Sequence, residues 1–180
     1  AAVLEALARI VHGTFPKTIQ SRAEAAENLW TLYADPVLLQ QALLNLALLA
    51  RAQMPDGGAL AIAARNVYLQ ETAPQLPNNA ETGCYVCFTI EHSGPGLAED
   101  VIARLTHPAD PAEAPVTDLD RALHSALRIL REHRGFVTMG GSVHPGSSLC
   151  VFLPAVEPAE GAITEPQPPT LPSGNGELIL

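Results

Sequence analysis

Aromatic side chains and lysine are scarce in this sequence of 180 residues. With only four Phe, three Tyr and one Trp, the hydrophobic core must consist mainly of aliphatic side chains. Lysine occurs once, at Lys17, and 19 acidic against 10 basic residues give a formal net charge of −9. An acidic surface of this kind argues against nucleic acid or an anionic membrane as a partner.

Cysteine and long apolar runs are also limited. Three cysteines favour a reducing compartment over a disulfide framework. No apolar run approaches the roughly 20 residues that span a bilayer, and the first residues lack the charged region and cleavage site of a signal peptide. We therefore expect a cytoplasmic chain without membrane contact, and its abrupt start indicates a fragment of a longer protein.

A long apolar helix dominates what is present. Asp35 is placed to cap it, and Pro36 stands at its first position, where a missing N–H is harmless. The spacing predicts a buried stripe of Leu39, Leu43, Leu46 and Ala50. Another face is predicted to carry Asn45, with Gln41 and Leu49 one turn to either side.

The remaining elements follow from periodicity, turn residues and caps. Helices are predicted over residues 1–12 with Gly13 as the stop, 98–105 and 118–133, the last with Thr117 and Asp120 as a capping box. Strands are predicted over 17–22, 28–34, 59–67, 84–91, 136–139 and 149–153, and loops over 70–83 and 107–116. This mixture predicts an α/β (α+β) two-layer sandwich, with a mixed, mostly antiparallel sheet covered on one face by about three helices.

The composition changes after Pro154. Five prolines fall in the last 26 residues, without any aromatic side chain. We predict one domain over 1–154 and a Pro-rich linker over 155–176.

Four blocks, in this order, carry a family resemblance: residues 34–58 (ADPVLLQQALLNLALLARAQMPDGG), 91–96 (EHSGPG), 131–135 (REHRG) and 146–154 (GSSLCVFLP). Together they resemble the ATP-binding catalytic domain of sensor histidine kinases, and of hybrid kinases in particular. The resemblance implies the fold shared with type II topoisomerases and the chaperone of 90 kDa. Residues 177–180 resemble the start of a truncated receiver domain. The resemblance also implies partners: upstream dimerisation and phosphoacceptor helices, a receiver domain, or a separate response regulator.

The resemblance places two asparagines one turn apart on the central helix, the second being the usual ligand of Mg²⁺. Asn45 matches the first position, and Leu49 stands at the second. Magnesium requires hard oxygen ligands, which an isobutyl group lacks, so we predict no metal ligand on this helix.

The family's DxGxG motif corresponds to His92, Gly94 and Gly96. In the family its aspartate accepts a hydrogen bond from the adenine amine. Imidazole is bulkier and becomes donor-only once protonated, so adenine recognition should be weak. Strand alternation should point Glu91 to the opposite face.

The family's glycine-rich GxGLGL falls, counted without gaps, on residues 118–123, where no glycine remains. We expect Asp118 and Asp120 to occupy the helix N–H donors that would otherwise bind phosphate, and each to repel a triphosphate by roughly 3 kcal/mol. The lid segment 106–110 keeps Pro108 but lacks the aromatic anchors of the family.

Other motifs have a structural interpretation. Cys84 and Cys87 form a lone CxxC whose side chains should lie on opposite faces of a strand, so we predict no metal site there. The Gly/Ser-rich stretch near residue 146 is read as a hairpin turn, because no helix follows it. His124 and His133 lack the following acidic residue of a phosphoacceptor.

Two functions remain open. The first is a degenerate, pseudokinase-like catalytic domain with weak or no ATP binding and no catalytic residue, which acts through domain or partner interactions in a phosphorelay. The second is a working ATP-binding domain that phosphorylates a histidine in an upstream dimerisation domain. In the second case Asn45, Arg51, His92 and Gly94, with the preserved Gly96, would bind ATP and Mg²⁺.

Overall fold

A computed structural model describes residues 2–70, 80–106, 117–140 and 148–156. Four helices and six strands follow one another as α1 (Ala2–Thr14), β1 (Ile19–Ala25), β2 (Thr31–Leu32), α2 (Pro36–Ala52), β3 (Gly58–Leu69), β4 (Gly83–His92), α3 (Glu99–Thr106), α4 (Asp118–Glu132), β5 (Phe136–Gly140) and β6 (Ser148–Val156). Within these ranges no helix is both long and apolar enough to cross a membrane.

The strands form one sheet in the order β1-β3-β4-β6, and β2 and β5 both pair with β6. Only β1 and β3 run parallel, and the other pairs are antiparallel. The predicted mixed, mostly antiparallel sheet is therefore confirmed. Because β2 meets β6 at Thr31–Val156 and β5 meets it at Phe136–Phe152, the two short strands occupy successive parts of one edge.

Helix α2 lies between α1 and α4 and also packs on β4. All four residues of its predicted stripe are at most 3% exposed. They join the inward side chains of β3, β4 and β6 in a mainly aliphatic core. A helix with neighbours on both sides must bury more than one stripe, which explains why Ala42, Ala47 and Leu49 are buried as well.

Both predicted helix caps are confirmed. The Asp35 carboxylate accepts hydrogen bonds from the backbone N–H groups of Val37 (2.8 Å) and Leu38 (3.0 Å). At α4 the Thr117 hydroxyl accepts from the Asp120 N–H at 3.1 Å, and the Asp120 carboxylate accepts from the Thr117 N–H at 3.0 Å. Each cap satisfies donors that have no partner within the helix.

Two sequence predictions need correction. Residues 28–34 are strand only at Thr31–Leu32, because the Asn66 side chain accepts from Trp30 N (2.9 Å) and donates to Asn28 O (2.9 Å). Those backbone groups have a side chain rather than a neighbouring strand as partner. Gly13 does not stop α1, which continues to Thr14.

The sheet face opposite the helices carries a second, smaller apolar cluster. Tyr85, Phe136 and Phe152 stack edge-on or face-to-face with ring centroids 5.0 to 6.5 Å apart, and Leu69 and Cys87 pack with them. Three of the eight aromatic residues are thus concentrated here. The helix-side core is mainly aliphatic, as the composition predicts, with Phe15 and Phe88 among its buried members.

The segments 157–180, 107–116 and 141–147 lie outside the described residues, and with them the linker, the receiver start, most of the lid and the hairpin turn. Strand β6 extends to Val156, two residues past the predicted domain end. The domain boundaries stay a prediction.

Candidate functional site

The five predicted site residues lie on two neighbouring parts of the fold. Asn45 and Arg51 are on α2, and His92, Gly94 and Gly96 are at or just after the end of β4. The turn after β4 packs against the carboxyl end of α2. A Cβ atom added at Gly94 would collide with the Gln53 carbonyl oxygen.

The α2 positions around Asn45 differ in exposure. Asn45 is partly buried and Gln41 is exposed, but Leu49 is only 1% exposed and belongs to the hydrophobic core. The face of α2 that carries Gln41, Asn45 and Leu49 is therefore exposed at Gln41 and buried in the core at Leu49. The physical reason is the flanking of α2 by α1 and α4, which buries a wide arc of the helix.

His92 is the last residue of β4 and is 6% exposed, whereas Glu91 is exposed. The expected alternation of these two side chains is confirmed. His92 lies opposite Leu60 of β3 and shares the inward face with Ile90 and Phe88. An imidazole in this position contributes bulk to the end of the core.

Ser93 fixes the turn that follows. Its hydroxyl accepts a hydrogen bond from Ala59 N at 2.9 Å and contacts the Met54 sulfur at 3.6 Å, while its own N–H donates to Ala59 O at 3.0 Å. The turn is thereby tied both to β3 and to the end of α2. Sequence analysis did not identify this serine, although its place between two site positions, His92 and Gly94, is a usable signal.

A cleft of about 500 Å³ opens between α2, the start of α4 and the residues before β1. Its volume lies within the range of small-molecule sites. Arg51 and Asp118 bring opposite charges to it, and its apolar walls include Leu48, Leu119 and Met54. Arg51 also lies over the Phe15 ring, 5.4 Å from the centroid.

Of the predicted site residues, Arg51 is among those lining this cleft. The described walls of the cleft do not include Asn45, His92, Gly94 or Gly96. Gly94 is linked to it indirectly, through its contact with Gln53 and Met54. The structure thus brings Arg51 and Gly94 to the same end of α2 and places Asn45 two turns away.

The two aspartates at the start of α4 have different roles. Asp120 closes the capping box, whereas Asp118 pairs with Arg121 one turn on and its side chain is 94% exposed. The expectation that both carboxylates occupy first-turn N–H groups is wrong: the Asp120 N–H is bound by the Thr117 hydroxyl. The partner charge on Arg121 also reduces the repulsion that Asp118 would exert on an anion.

The two histidines on and after α4, His124 and His133, differ in exposure and in hydrogen bonding. His124 is exposed. His133 accepts a hydrogen bond from Asp35 N at its Nε2 (3.1 Å), and its Nδ1 lies 2.8 Å from the Ile129 oxygen. Since Nε2 accepts, Nδ1 carries the proton and donates. His133 therefore connects the end of α4 to the start of α2.

In the parts of the chain that the structure describes, no three His, Cys, Asp or Glu side chains cluster as a metal site would require. Leu49, at the position where the resemblance implies a Mg²⁺ ligand, offers no oxygen and faces the core. The residues of α2 do not fit a bound magnesium ion.

The chain is similar in sequence to known sensor kinases. No family model matches the sequence. The sensor kinase CckA of Brucella abortus (strain 2308) is 28% identical over 148 residues, which cover 82% of this chain and 15% of that kinase. The sensor histidine kinase ZraS of Escherichia coli (strain K12) is 28% identical over 138 residues, covering 77% and 26% respectively.

Solved structures agree on the fold. The nucleotide-free catalytic domain of histidine kinase ThkA superposes with a TM-score of 0.62 at 17% identity, covering 86% of this chain and 91% of that domain. Full-length ShkA, solved in complex with AMPPNP, gives 0.61 at 22% identity, covering 87% of this chain and 30% of that protein.

The fold is that of histidine kinase catalytic (ATPase) domains, so the resemblance found in the sequence is confirmed. In sequence the chain is similar to the two sensor kinases named above, and it spans 15% and 26% of their lengths.

Proposed function

We propose that this module is degenerate: it binds ATP weakly or not at all and acts in phosphorelay signalling by interaction with other domains or partners. The observation that carries the proposal is Leu49, a core residue at 1% exposure where the resemblance implies an oxygen ligand for Mg²⁺. Without the metal, the charge of a triphosphate would have to be neutralised by protein cations alone.

The start of α4 supports the same proposal. Glycines there would let phosphate approach the backbone N–H groups, whereas this chain has a closed capping box between Thr117 and Asp120. A phosphate would have to displace the Thr117 hydroxyl from the Asp120 N–H. His92, buried at the end of β4, replaces the carboxylate that would accept from adenine.

The partners follow from the same resemblance and remain proposals. They are the dimerisation and phosphoacceptor helices, a receiver domain of the same protein, or a separate response regulator. The packed core and the tight Gly94 turn keep the shape that such partners would contact. The cytoplasmic location expected from the sequence stays a prediction.

Calorimetric titration with ATP·Mg²⁺ tests the proposal. We expect no saturable heat at micromolar to submillimolar nucleotide. A Kd below about 100 μM, equivalent to about 5.5 kcal/mol of binding free energy, would contradict degeneracy. The Arg51→Ala variant serves as the matched control, because loss of any observed heat in that variant would locate the nucleotide in the cleft.

The alternative is an active ATP-binding domain, which the cleft of about 500 Å³ and its Arg51 favour. In that case ATP binds near Arg51 and the γ-phosphate passes to a histidine in an upstream dimerisation domain. Transfer of labelled phosphate from ATP to a protein that contains such a domain distinguishes it from the degenerate module. No label is expected under the degenerate hypothesis.

A further inference from the structure

Strand β1 forms one outer edge of the sheet. It pairs with β3 on one side, and in the residues that the structure describes no strand lies on its other side. Ala26 N donates to Ala64 O at 2.8 Å, and Thr18 O accepts from Gly58 N at 3.1 Å, so the even-numbered residues direct their backbone groups to β3. Because this direction alternates along a strand, the N–H and C=O groups of the odd-numbered residues point away from the sheet: Ser21, Ala23 and Ala25.

The space beside this edge is open on the helix side. A cleft of about 300 Å³ lies between β1 and α1, and the α1 side chains that line it include the exposed Arg9 and His12. Ser21 and Ala23 line it from β1, and both side chains are small. A second strand can therefore reach the outward backbone groups of β1 without displacing a bulky side chain.

The other face of β1 carries two opposite charges without a partner in the sheet. Arg22 and Glu24 are both exposed, and the residues beside them on β3 are Ala61 and Ala63. A methyl group cannot pair with either charge. Within the described part of the chain, no ion pair joins Arg22 or Glu24 to another residue.

The spacing of the two charges is self-complementary. When two copies of β1 run antiparallel with Ala23 opposite Ala23, Arg22 of each copy lies opposite Glu24 of the other. The outward-pointing residues then form the hydrogen-bonded pairs, and the charges occupy the non-hydrogen-bonded pairs, whose side chains are closer. Moving the centre by one residue places Arg22 opposite Arg22, or Glu24 opposite Glu24, and like charges in that position are destabilising. The charges therefore select one register.

We propose that the outer edge of β1 binds a second copy of this chain, as an antiparallel strand pair centred on Ala23 that joins the two sheets. The interface is two-fold symmetric, so each contact occurs twice. Charges on an edge strand commonly prevent such pairing. A run of one sign would do so here, whereas opposite signs two residues apart attract an antiparallel copy.

The contact is weak for the free chain. The register centred on Ala23 provides about six hydrogen bonds between the strands, which is a small interface. Each copy also carries a formal net charge of −9. At physiological ionic strength a Debye length of about 8 Å screens this long-range repulsion more than it screens the charge pairs in contact. We expect a Kd on the order of 100 μM.

Sedimentation velocity of the whole chain, at chain concentrations from about 10 μM to about 1 mM, measures this association. Arg22→Glu and Glu24→Arg should each weaken it by about tenfold or more, because each variant places like charges opposite one another at both symmetric contacts. Combining the two changes in one chain should restore association. An equimolar mixture of the two single variants should form a mixed dimer, since its pairs again have opposite charges. Arg131→Glu, the same charge change at an exposed position of α4, is the control and should leave association unchanged.

Ala25→Pro tests the backbone part of the interface. Ala25 is exposed and its N–H points away from β3, so proline removes a donor to the second copy and none within the sheet. Association should weaken while the midpoint of urea unfolding stays the same. Urea unfolding of the charge variants confirms in the same way that each is folded.

Four outcomes would overturn the inference. The original chain could stay monomeric up to about 1 mM, well above the expected Kd. Folded single charge variants could associate as well as the original chain. The double variant and the mixture could both stay monomeric, which would mean that Arg22 and Glu24 do not face each other across the dimer. Arg131→Glu could weaken association as much as Arg22→Glu, which would assign the effect to net charge.

Discussion

At the scale of single residues, Asp118 and Asp120 show how neighbouring aspartates can differ. The Asp120 carboxylate accepts from both the N–H and the hydroxyl of Thr117, whereas the exposed Asp118 side chain pairs with Arg121. Asp120→Ala should lower the free energy of unfolding by about 1 kcal/mol. Asp118→Ala should change it by less than about 0.5 kcal/mol, because exposed ion pairs contribute little.

Urea unfolding of the two variants measures this difference. The same substitution is made at both positions, so the gain in helix propensity is shared and cancels in the comparison. Equal losses in both variants would mean that the capping box contributes nothing specific to the start of α4.

Gly94 is a second residue at which we expect a substitution to lower stability. An added Cβ collides with the backbone oxygen of Gln53, which cannot move without shifting the end of α2. Gly94→Ala should therefore cost about 1–3 kcal/mol. Gly13→Ala is the control, because nothing lies within 4 Å of the added carbon and the site is helical, so stability should rise by up to about 1 kcal/mol.

Thermal and urea unfolding of both glycine variants give the comparison. If Gly94→Ala is as stable as the original chain, the turn after β4 is free to move away from α2. The close contact that keeps this turn in place would then have no energetic importance.

Leu49→Asn tests whether one substitution restores ATP·Mg²⁺ binding. Leu49→Asn removes a buried isobutyl group and buries an amide, so it should cost about 3 kcal/mol or more. Leu48→Asn, at a partly buried position that lines the cleft, should cost less. Calorimetry on Leu49→Asn should still show no ATP·Mg²⁺ binding, since His92 and the capping box are unchanged.

A stable Leu49→Asn variant that binds ATP·Mg²⁺ would contradict this expectation. It would mean that the helix can present an asparagine at this position to ligand rather than to the core, and that the leucine alone had removed binding.

At the scale of elements, the short strand β2 depends on a side chain from β3. Asn66 makes two hydrogen bonds of 2.9 Å to the backbone of residues 28 and 30, just before β2 pairs with β6. Asn66→Ala removes both bonds and should lower the free energy of unfolding by about 1–2 kcal/mol. Hydrogen exchange should increase at Trp30 and Thr31 more than at the centre of β4.

Asn28 provides the control for that measurement. It contributes only its carbonyl oxygen to the pair and has a positive φ of 60°, which asparagine tolerates. Asn28→Gly should keep the hydrogen bond and leave exchange near residue 30 unchanged. Equal exchange in Asn66→Ala and the original chain would show that the β2–β6 pairing alone holds the segment.

The same element shows what the sequence could predict. Helices α2 and α4 and strands β3 and β4 were predicted because their periodicity and caps are local. Residues 28–34 were predicted as a strand from β-favouring side chains, but their partner is an asparagine 36 positions further on.

The candidate site was predictable only in part for the same reason. The end of α2 and the turn after β4 could be placed near one another from the resemblance. The burial of Leu49 depends on how α1 and α4 pack beside α2. Sequence spacing alone does not fix this packing.

At the scale of the whole molecule, the end of the folded domain can be located by truncation. The last residues of β6, Ala155 and Val156, pair with Leu32 and Thr31, and the Pro-rich segment begins after them. A chain ending at Val156 should have the free energy of unfolding of the full chain within about 0.5 kcal/mol, since a linker adds no packed core. A chain ending at Pro154 loses the β2 pairing and should be less stable by about 1–2 kcal/mol. Urea unfolding of the three lengths distinguishes the boundaries. If the chain ending at Val156 is the one that loses stability, residues beyond 156 pack on the domain and the linker prediction is wrong.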